Sequence, residues 1–295
     1  MFSGVWIFFL LLLLGPAKSA VPGKPLDHAA TESKLKTLMV GRVAILQTFY
    51  TSDQLHFDST GKLIGNCHTG PWTVFGGIEI DSVKLGAHSL VLTGRRNVRR
   101  WEGDELINYT LDRPVRIELE LEPNESMASL VGALEKVFLF RAQRLSDVVP
   151  EFWKGFLTTE RSRSAAWQNE QSRLMKDVKA MAQNVTPPRL LSGAGGFDIA
   201  AAPFQDMDNN TFTASFIVDR NGAVKDLEII KPVGVGVDDA YAEKISHWKF
   251  TPAMSDAGPV EVLMYSRVLV RLPNQRHLDP YHTMPCPNLA NVFAC

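Results

Sequence analysis

The clearest hydrophobic pattern in this chain has a period of two. Val115, Ile117, Leu119 and Leu121 alternate with Arg116, Glu118 and Glu120, which predicts a strand with one face to a core and the other to water. Three more β-rich runs, "GRVAILQTFY", "WTVFGGIEIDSVKL" and "HSLVLTGRR", are broken by Gly, Asn and Asp. From about Thr31 onward these runs predict a small barrel, a sandwich or an antiparallel sheet. The period then changes. Leu130, Leu134 and Val137 share one helical face, and Trp167, Leu174, Val178 and Met181 share another. Pro150 starts a further helix in "VVPEFWKGFL". "NVTPPRLLSGAGG" breaks the pattern and reads as a linker.

Alternation returns at Phe212, Ala214, Phe216 and Val218. Asp219-Arg220-Asn221-Gly222 follows, read as a tight turn with positive φ at both Asn221 and Gly222. "AVKDLEII" is the returning strand. Asp238 is placed to cap a helix that runs to about Trp248, with Tyr241, Ile245 and Trp248 on one face. A long final strand over 260–272 puts Val260, Val262, Met264, Val268, Val270 and Leu272 on its core face. The fold class is α+β: a β-rich domain over 20–125, a helical region over 126–183, a C-terminal domain over 184–273 and an irregular tail over 274–295.

Composition adds little to this. At 295 residues, 45% hydrophobic and 21% charged, the chain has the balance of a folded protein and not of a disordered one. A net charge of −1 gives no whole-protein field to draw in nucleic acid. The N-terminus changes the picture more. An apolar run over 5–14 is about half a membrane span, and Ala17-Lys18-Ser19 offers a small-residue cleavage site after Ser19. The expectation is a cleaved export signal over 1–19, a periplasmic or cell-envelope location and no transmembrane segment in the mature chain; an uncleaved anchor is the alternative. Export permits disulfides. Cys286 and Cys295 bracket a short segment and are a candidate pair that leaves Cys67 over, while three free thiols are the other reading.

The elements "FTASFIVDRNGAVKDLEII", "HWKFTPA", "GPV" and "VEVLMYSRVLVRL", in that order over 188–272, resemble the C-terminal domain of TonB-family energy transducers. The family pattern is a strand, an acidic-x-x-Gly turn, a β-rich return, a helix closing on aromatic-x-Phe-x-Pro-Ala, and a final strand. The resemblance implies helices on one face of a three-stranded antiparallel sheet. It also implies a module that holds an extended segment of an outer-membrane receptor by adding it to the final strand, in TonB-dependent transport. The residues this assigns to partner binding are Val260, Val262, Met264, Tyr265, Arg267, Val268 and Arg271. Glu261, Tyr265, Arg267 and Arg271 alternate with the core positions and flank the incoming segment. Backbone groups at a sheet edge are a template for such a segment. The competing reading of Arg267 and Arg271 is an edge guarded by charge. Exchange of strands between two copies, giving a homodimer, is compatible with such an edge. Transducers of this family carry an uncleaved anchor and a Pro-rich spacer; here a cleavable leader and a β-rich domain are expected in those places.

No catalytic constellation, cofactor or metal is expected. Asn66-Cys67-His68 places thiol and imidazole on adjacent residues, a poor dyad. His277, His282 and Cys286 match no common zinc spacing. "DMDNN" at Asp206 lacks the glycine and glutamate of a calcium loop. Arg95, Arg96, Arg99 and Arg100, beside Trp101, read as a solvated loop neutralised by Glu102, Asp104 and Glu105, with an anion or glycan site, or a nucleic-acid site that export argues against, as the alternative. The rival to a binding protein is a cell-envelope enzyme or glycan binder that uses the C-terminal part for docking.

Overall fold

The computed structural model describes residues 26–102, 105–140, 144–159, 185–193 and 211–270. The chain is α+β and divides into two compact units. The first takes in residues up to Arg100 and Ile107–Val148; the second takes in Trp101–Leu106 and Val149–Asn274.

The first unit opens with a helix where strand was expected. Asp27 accepts the Ala30 amide and caps α1, His28–Met39. Thr31, Leu35 and Met39, four residues apart, form its buried stripe. The strands are β1 (Val43–Ile45), β2 (Gln54–Phe57), β3 (Gly77–Leu85), β4 (Ser89–Glu102) and β5 (Glu105–Glu120). They form one five-stranded sheet in the order β1-β3-β4-β5-β2. Because β2 runs parallel to β5, pairing Gln54 with Arg116 and Phe57 with Leu119, the sheet is mixed and open rather than a barrel or sandwich. "WTVF" is not strand either. Pro71 accepts the Phe75 amide and starts the single turn α2, Trp72–Phe75, which buries Trp72 and Phe75. Val115, Ile117, Leu119 and Leu121 are buried as their alternation predicts. They share a core with Leu35 and Met39 of α1 and with Leu130, Ala133, Leu134 and Val137 of α3, Met127–Val137.

The helical stretch is divided between the units: α3 belongs to the first, and α4, Glu151–Thr159, to the second. Trp167, Leu174, Val178 and Met181 lie outside the described residues. In the second unit Trp153 of α4 stacks on Trp101 with centroids 5.9 Å apart, and Phe156 meets both rings edge-on, so these aromatics are packing.

The sheet of the second unit contains β7 (Thr211–Val218), β8 (Val224–Lys231) and β12 (Val262–Leu269), in the order β12-β7-β8, all antiparallel. Phe212, Ala214, Phe216 and Val218 are buried on one face of β7. Tyr241, on α5 (Val237–Ser246), stacks on Phe212 at 5.5 Å. Trp248 and Phe250 lie against Phe216 at 6.1 and 5.9 Å. The helix stops at Ser246, short of Trp248, with His247 as its cap. Its first turn also departs from expectation. Gly236 is the N-cap, and the Asp238 carboxylate turns back to accept the amides of Val233 and Gly234, both at 2.6 Å. Asp238 therefore holds the loop before the helix rather than capping the helix.

Four short strands complete the described part of the unit: β6 (Leu190–Ser192), β9 (Lys249–Phe250) and the hairpin of β10 (Ala253–Ser255) with β11 (Gly258–Val260). The supposed linker is partly built in. Leu190 of β6 pairs with Phe250 of β9, and Thr186 exchanges amide hydrogen bonds with Met254.

The β7–β8 turn is of a different type from the one expected. Only Gly222 has positive φ, at 80°; Asn221 does not. Asp219 accepts the Gly222 amide on its carbonyl and the Asn221 and Ala223 amides on its side chain. The turn is a type I turn closed by a left-handed glycine, in which the aspartate replaces the second positive-φ residue as the organising element.

Candidate functional site

β12 is an edge strand. Eight consecutive residues, Val262 to Leu269, pair with β7 from Val218 back to Thr211 without a register shift. Among the described residues nothing pairs with its other margin. In an antiparallel edge every second residue directs its N–H and C=O outward, so about half of these residues present unused backbone groups.

The opposite edge is built differently. β8 contains two register shifts against β7, one on either side of the Ala214–Ser215 pairs. At one of them Asp226 adopts φ 49°, the left-handed conformation that aspartate tolerates better than most residues. Bulges of this kind twist an edge and spoil it as a template. α4 also packs alongside β8. The sheet therefore has one guarded edge and one regular edge.

The side chains of β12 sort by parity. Val262, Met264, Ser266 and Val268 stand opposite Val218, Phe216, Ala214 and Phe212, the core face of β7. Ser266 and Val268 are buried there, with Val262 and Met264 half-buried. On the other face Leu263 and Tyr265 are half-buried and Arg267 is exposed. Partial burial pushes the Tyr265 phenol upward, so it stays a neutral donor at neutral pH. Glu261, just before the strand, binds Lys225 of β8 at 2.7 Å, and this hydrogen bond raises the lysine further above its ordinary range.

Of the seven residues assigned to partner binding, Val262, Met264, Tyr265, Arg267 and Val268 are on β12. Val260 is not: it pairs with Ala253 in the β10–β11 hairpin, because the turn before Gly258 takes this segment back on itself. The final strand thus begins at Val262. Arg271 lies outside the described residues, as do Leu272 and the cysteines Cys286 and Cys295. Leu263 was missed, and plain alternation from Tyr265 points to it.

The arginine run departs furthest from expectation. It is strand, not solvated loop. Arg95 is held by Asp81 through Nε and Nη2, both at 3.1 Å. Arg96 is only 1% exposed and donates to the carbonyls of Phe75, Tyr50 and Ser52 and to Asp53 at 3.2 Å. Arg99 and Arg100 are buried too, over the rings of Trp72 and Tyr109. The rings of Phe75, Trp72 and Tyr109 lie over Arg96, Arg99 and Arg100 respectively and help take these long side chains out of water.

Asn66-Cys67-His68 is loop; Cys67 is a free, half-buried thiol against the core of the first unit, and His68 is exposed. His277, His282 and the Asp206 segment lie outside the described residues, as does the segment over 1–19 expected to be an export signal. Among the described residues no helix is long and apolar enough to cross a membrane.

Two buried carboxyls in the second unit were not foreseen as a pair. Burial pushes Asp238 up to about 8 against the two amides that favour its ionised form, and pushes Asp239 up to about 6. Asp239 Oδ1 accepts from Trp153 Nε1 at 3.2 Å, and its Oδ2 is buried without a partner.

Comparison of the chain with protein-family models, with curated proteins and with solved structures finds no match.

Proposed function

We propose that this chain is an exported cell-envelope protein whose second unit holds an extended segment of a partner by strand addition to β12. One observation carries the reading: the contrast between the two edges of the sheet, with β8 bulged twice and β12 regular over eight pairs. Selection against edge-to-edge association accounts for the first, and an incoming chain accounts for leaving the second regular.

The partner class follows from the resemblance to TonB-family C-terminal domains: a periplasm-facing segment of a TonB-dependent outer-membrane receptor. Main-chain hydrogen bonds supply affinity, and Leu263, Tyr265 and Arg267 on the outward face choose among segments. Arg267, exposed and without an ion pair among the described residues, favours an acidic residue beside it. The protein acts as a binding module; participation in transport is part of the proposal, as is its periplasmic location.

The test uses the full mature chain and a synthetic peptide of the periplasm-facing N-terminal segment of an outer-membrane receptor from the same organism. Hydrogen exchange is followed at the amides of 262–269. Alternate amides become protected when the peptide adds as a strand. Peptide binding that leaves those amides exchanging as before refutes strand addition, and absence of binding to any such segment refutes the partner class.

A further inference from the structure

Arg99 is a second site of interest, in the first unit and independent of β12. Its residue is 6% exposed, and its guanidinium lies 5.2 Å from the centre of the Trp72 ring. Nη1 is buried and, among the described residues, has no hydrogen-bond acceptor. Among the described residues no carboxylate offsets the burial, which pushes this guanidinium down to about 10. The neighbouring arginines show what a satisfied site looks like in this strand: Arg95 has Asp81, and Arg96 has Asp53 and three carbonyls.

A buried guanidinium cannot shed its proton at any physiological pH. Left alone it is strongly unfavourable, which is why such groups in folded proteins are paired. An aromatic face offsets part of that cost and does nothing for the in-plane N–H donors. Those donors form a planar fork that matches the oxygens of a carboxylate or phosphate. Gly77 lies close to the fork: a Cβ there would come 2.7 Å from the Asn97 carbonyl oxygen and 3.4 Å from Nη1, so glycine is what lets β3 pass this near to it.

Asn97 narrows the chemistry. It lies two residues earlier on the same face of β4, about 7 Å along the strand. Its Nδ2 donates to Thr110 Oγ1 at 3.2 Å, while its Oδ1 is buried and unpartnered. The site thus lacks an acceptor for Arg99 and a donor for Asn97.

We propose that Arg99, stacked on Trp72 and with Asn97 beside it, is the anchor of a binding site for a small oxyanion. A singly protonated phosphoryl group supplies both the acceptor and the donor; a carboxylate supplies the acceptor alone.

The experiment is thermal unfolding of the full mature chain in sodium phosphate, sodium acetate and sodium chloride at matched ionic strength and pH 6.5. The wild type is expected to gain about 2–4 °C in phosphate over chloride at saturation. Arg99→Met loses this gain. Arg95→Met, which removes a half-exposed arginine already paired with Asp81, keeps it. A gain in phosphate alone identifies a phosphoryl ligand, and an equal gain in acetate identifies a carboxylate. If Arg99→Met does not fold, Arg99→Lys, which keeps the charge and removes the fork, is read instead and shows a reduced gain. The proposal is overturned by a wild type that unfolds at the same temperature in all three salts, or by a gain that persists in the Arg99 variants.

Discussion

The Phe250 amide donates to the Gly222 carbonyl at 2.8 Å, and a Cβ built on Gly222 would lie only 1.9 Å from the Phe250 carbonyl oxygen. The turn and the "WKFTPA" segment, 28 residues apart in sequence, are thus two sides of one contact. Ala223 bridges to Lys249 beside it, and Phe250 continues onto Phe216 at 5.9 Å.

Gly222→Ala is therefore expected to destabilise the second unit by about 2–4 kcal/mol, from a left-handed φ and a backbone clash acting together. Urea unfolding monitored by tryptophan fluorescence measures it. Asn221→Ala, at a residue without positive φ, is expected to change stability by no more than about 0.5 kcal/mol.

Asp238 and Asp239 set a pH dependence. Both carboxyls, ordinarily ionised above about pH 4, are raised in the folded state by burial. The folded chain then binds protons that the unfolded chain has released. Their contribution to stability is present in full below about pH 4 and falls as pH rises through 6 for Asp239 and through 8 for Asp238. Asp239→Asn is expected to flatten the decline between pH 4 and 6, up to roughly 3 kcal/mol. Unfolding free energies measured at half-unit pH intervals test the sign: a wild type that gains stability over this range contradicts it.

In the first unit Asp53 receives both Arg96 and Arg113. Asp53→Asn removes the countercharge of a guanidinium that is 1% exposed. The three carbonyls around Arg96 remain, so the expected loss is about 2–3 kcal/mol, at the low end for a broken buried pair. Arg95 with Asp81 is the exposed comparison, and Asp81→Asn is expected to cost no more than about 1 kcal/mol.

Proline scanning separates the two margins of β12. Successive residues of an antiparallel strand direct their amides to opposite sides. Of Met264→Pro and Tyr265→Pro, one removes a donor from the β7 ladder and lowers stability; the other removes a donor from the open margin and abolishes peptide capture with a small effect on stability. Circular dichroism melts and peptide anisotropy together identify which is which. Equal effects of the two on both measurements count against an open margin.

Local periodicity was enough for β5 and β7. Val115 to Leu121 alternate buried with wetter positions, and in β7 the apolar Phe212, Ala214, Phe216 and Val218 alternate with Thr211, Thr213 and Ser215 although Thr211 and Ser215 are buried as well; the choice of side chain acts on neighbours two residues apart. α1 was hidden because its stripe of Thr31, Leu35 and Met39 is narrow and contains a threonine. The alternation through Val260 was continuous with β12, yet the β10–β11 pairing claimed that residue, a decision made by a turn and not by hydrophobicity.

What the amino-acid order determined by itself is therefore the kind of each well-patterned element, the glycine at the β7–β8 turn and the parity of β12. What only the tertiary structure decided is which strands are edges, that β2 lies parallel beside β5, that the arginines of β4 are buried, and that Asp238 and Asp239 are held away from water. The physical reason is range. A side chain's alternation is set by its own strand, but the desolvation of a charge and the pairing of a backbone margin depend on residues tens of positions away, and no local pattern records which of them arrive.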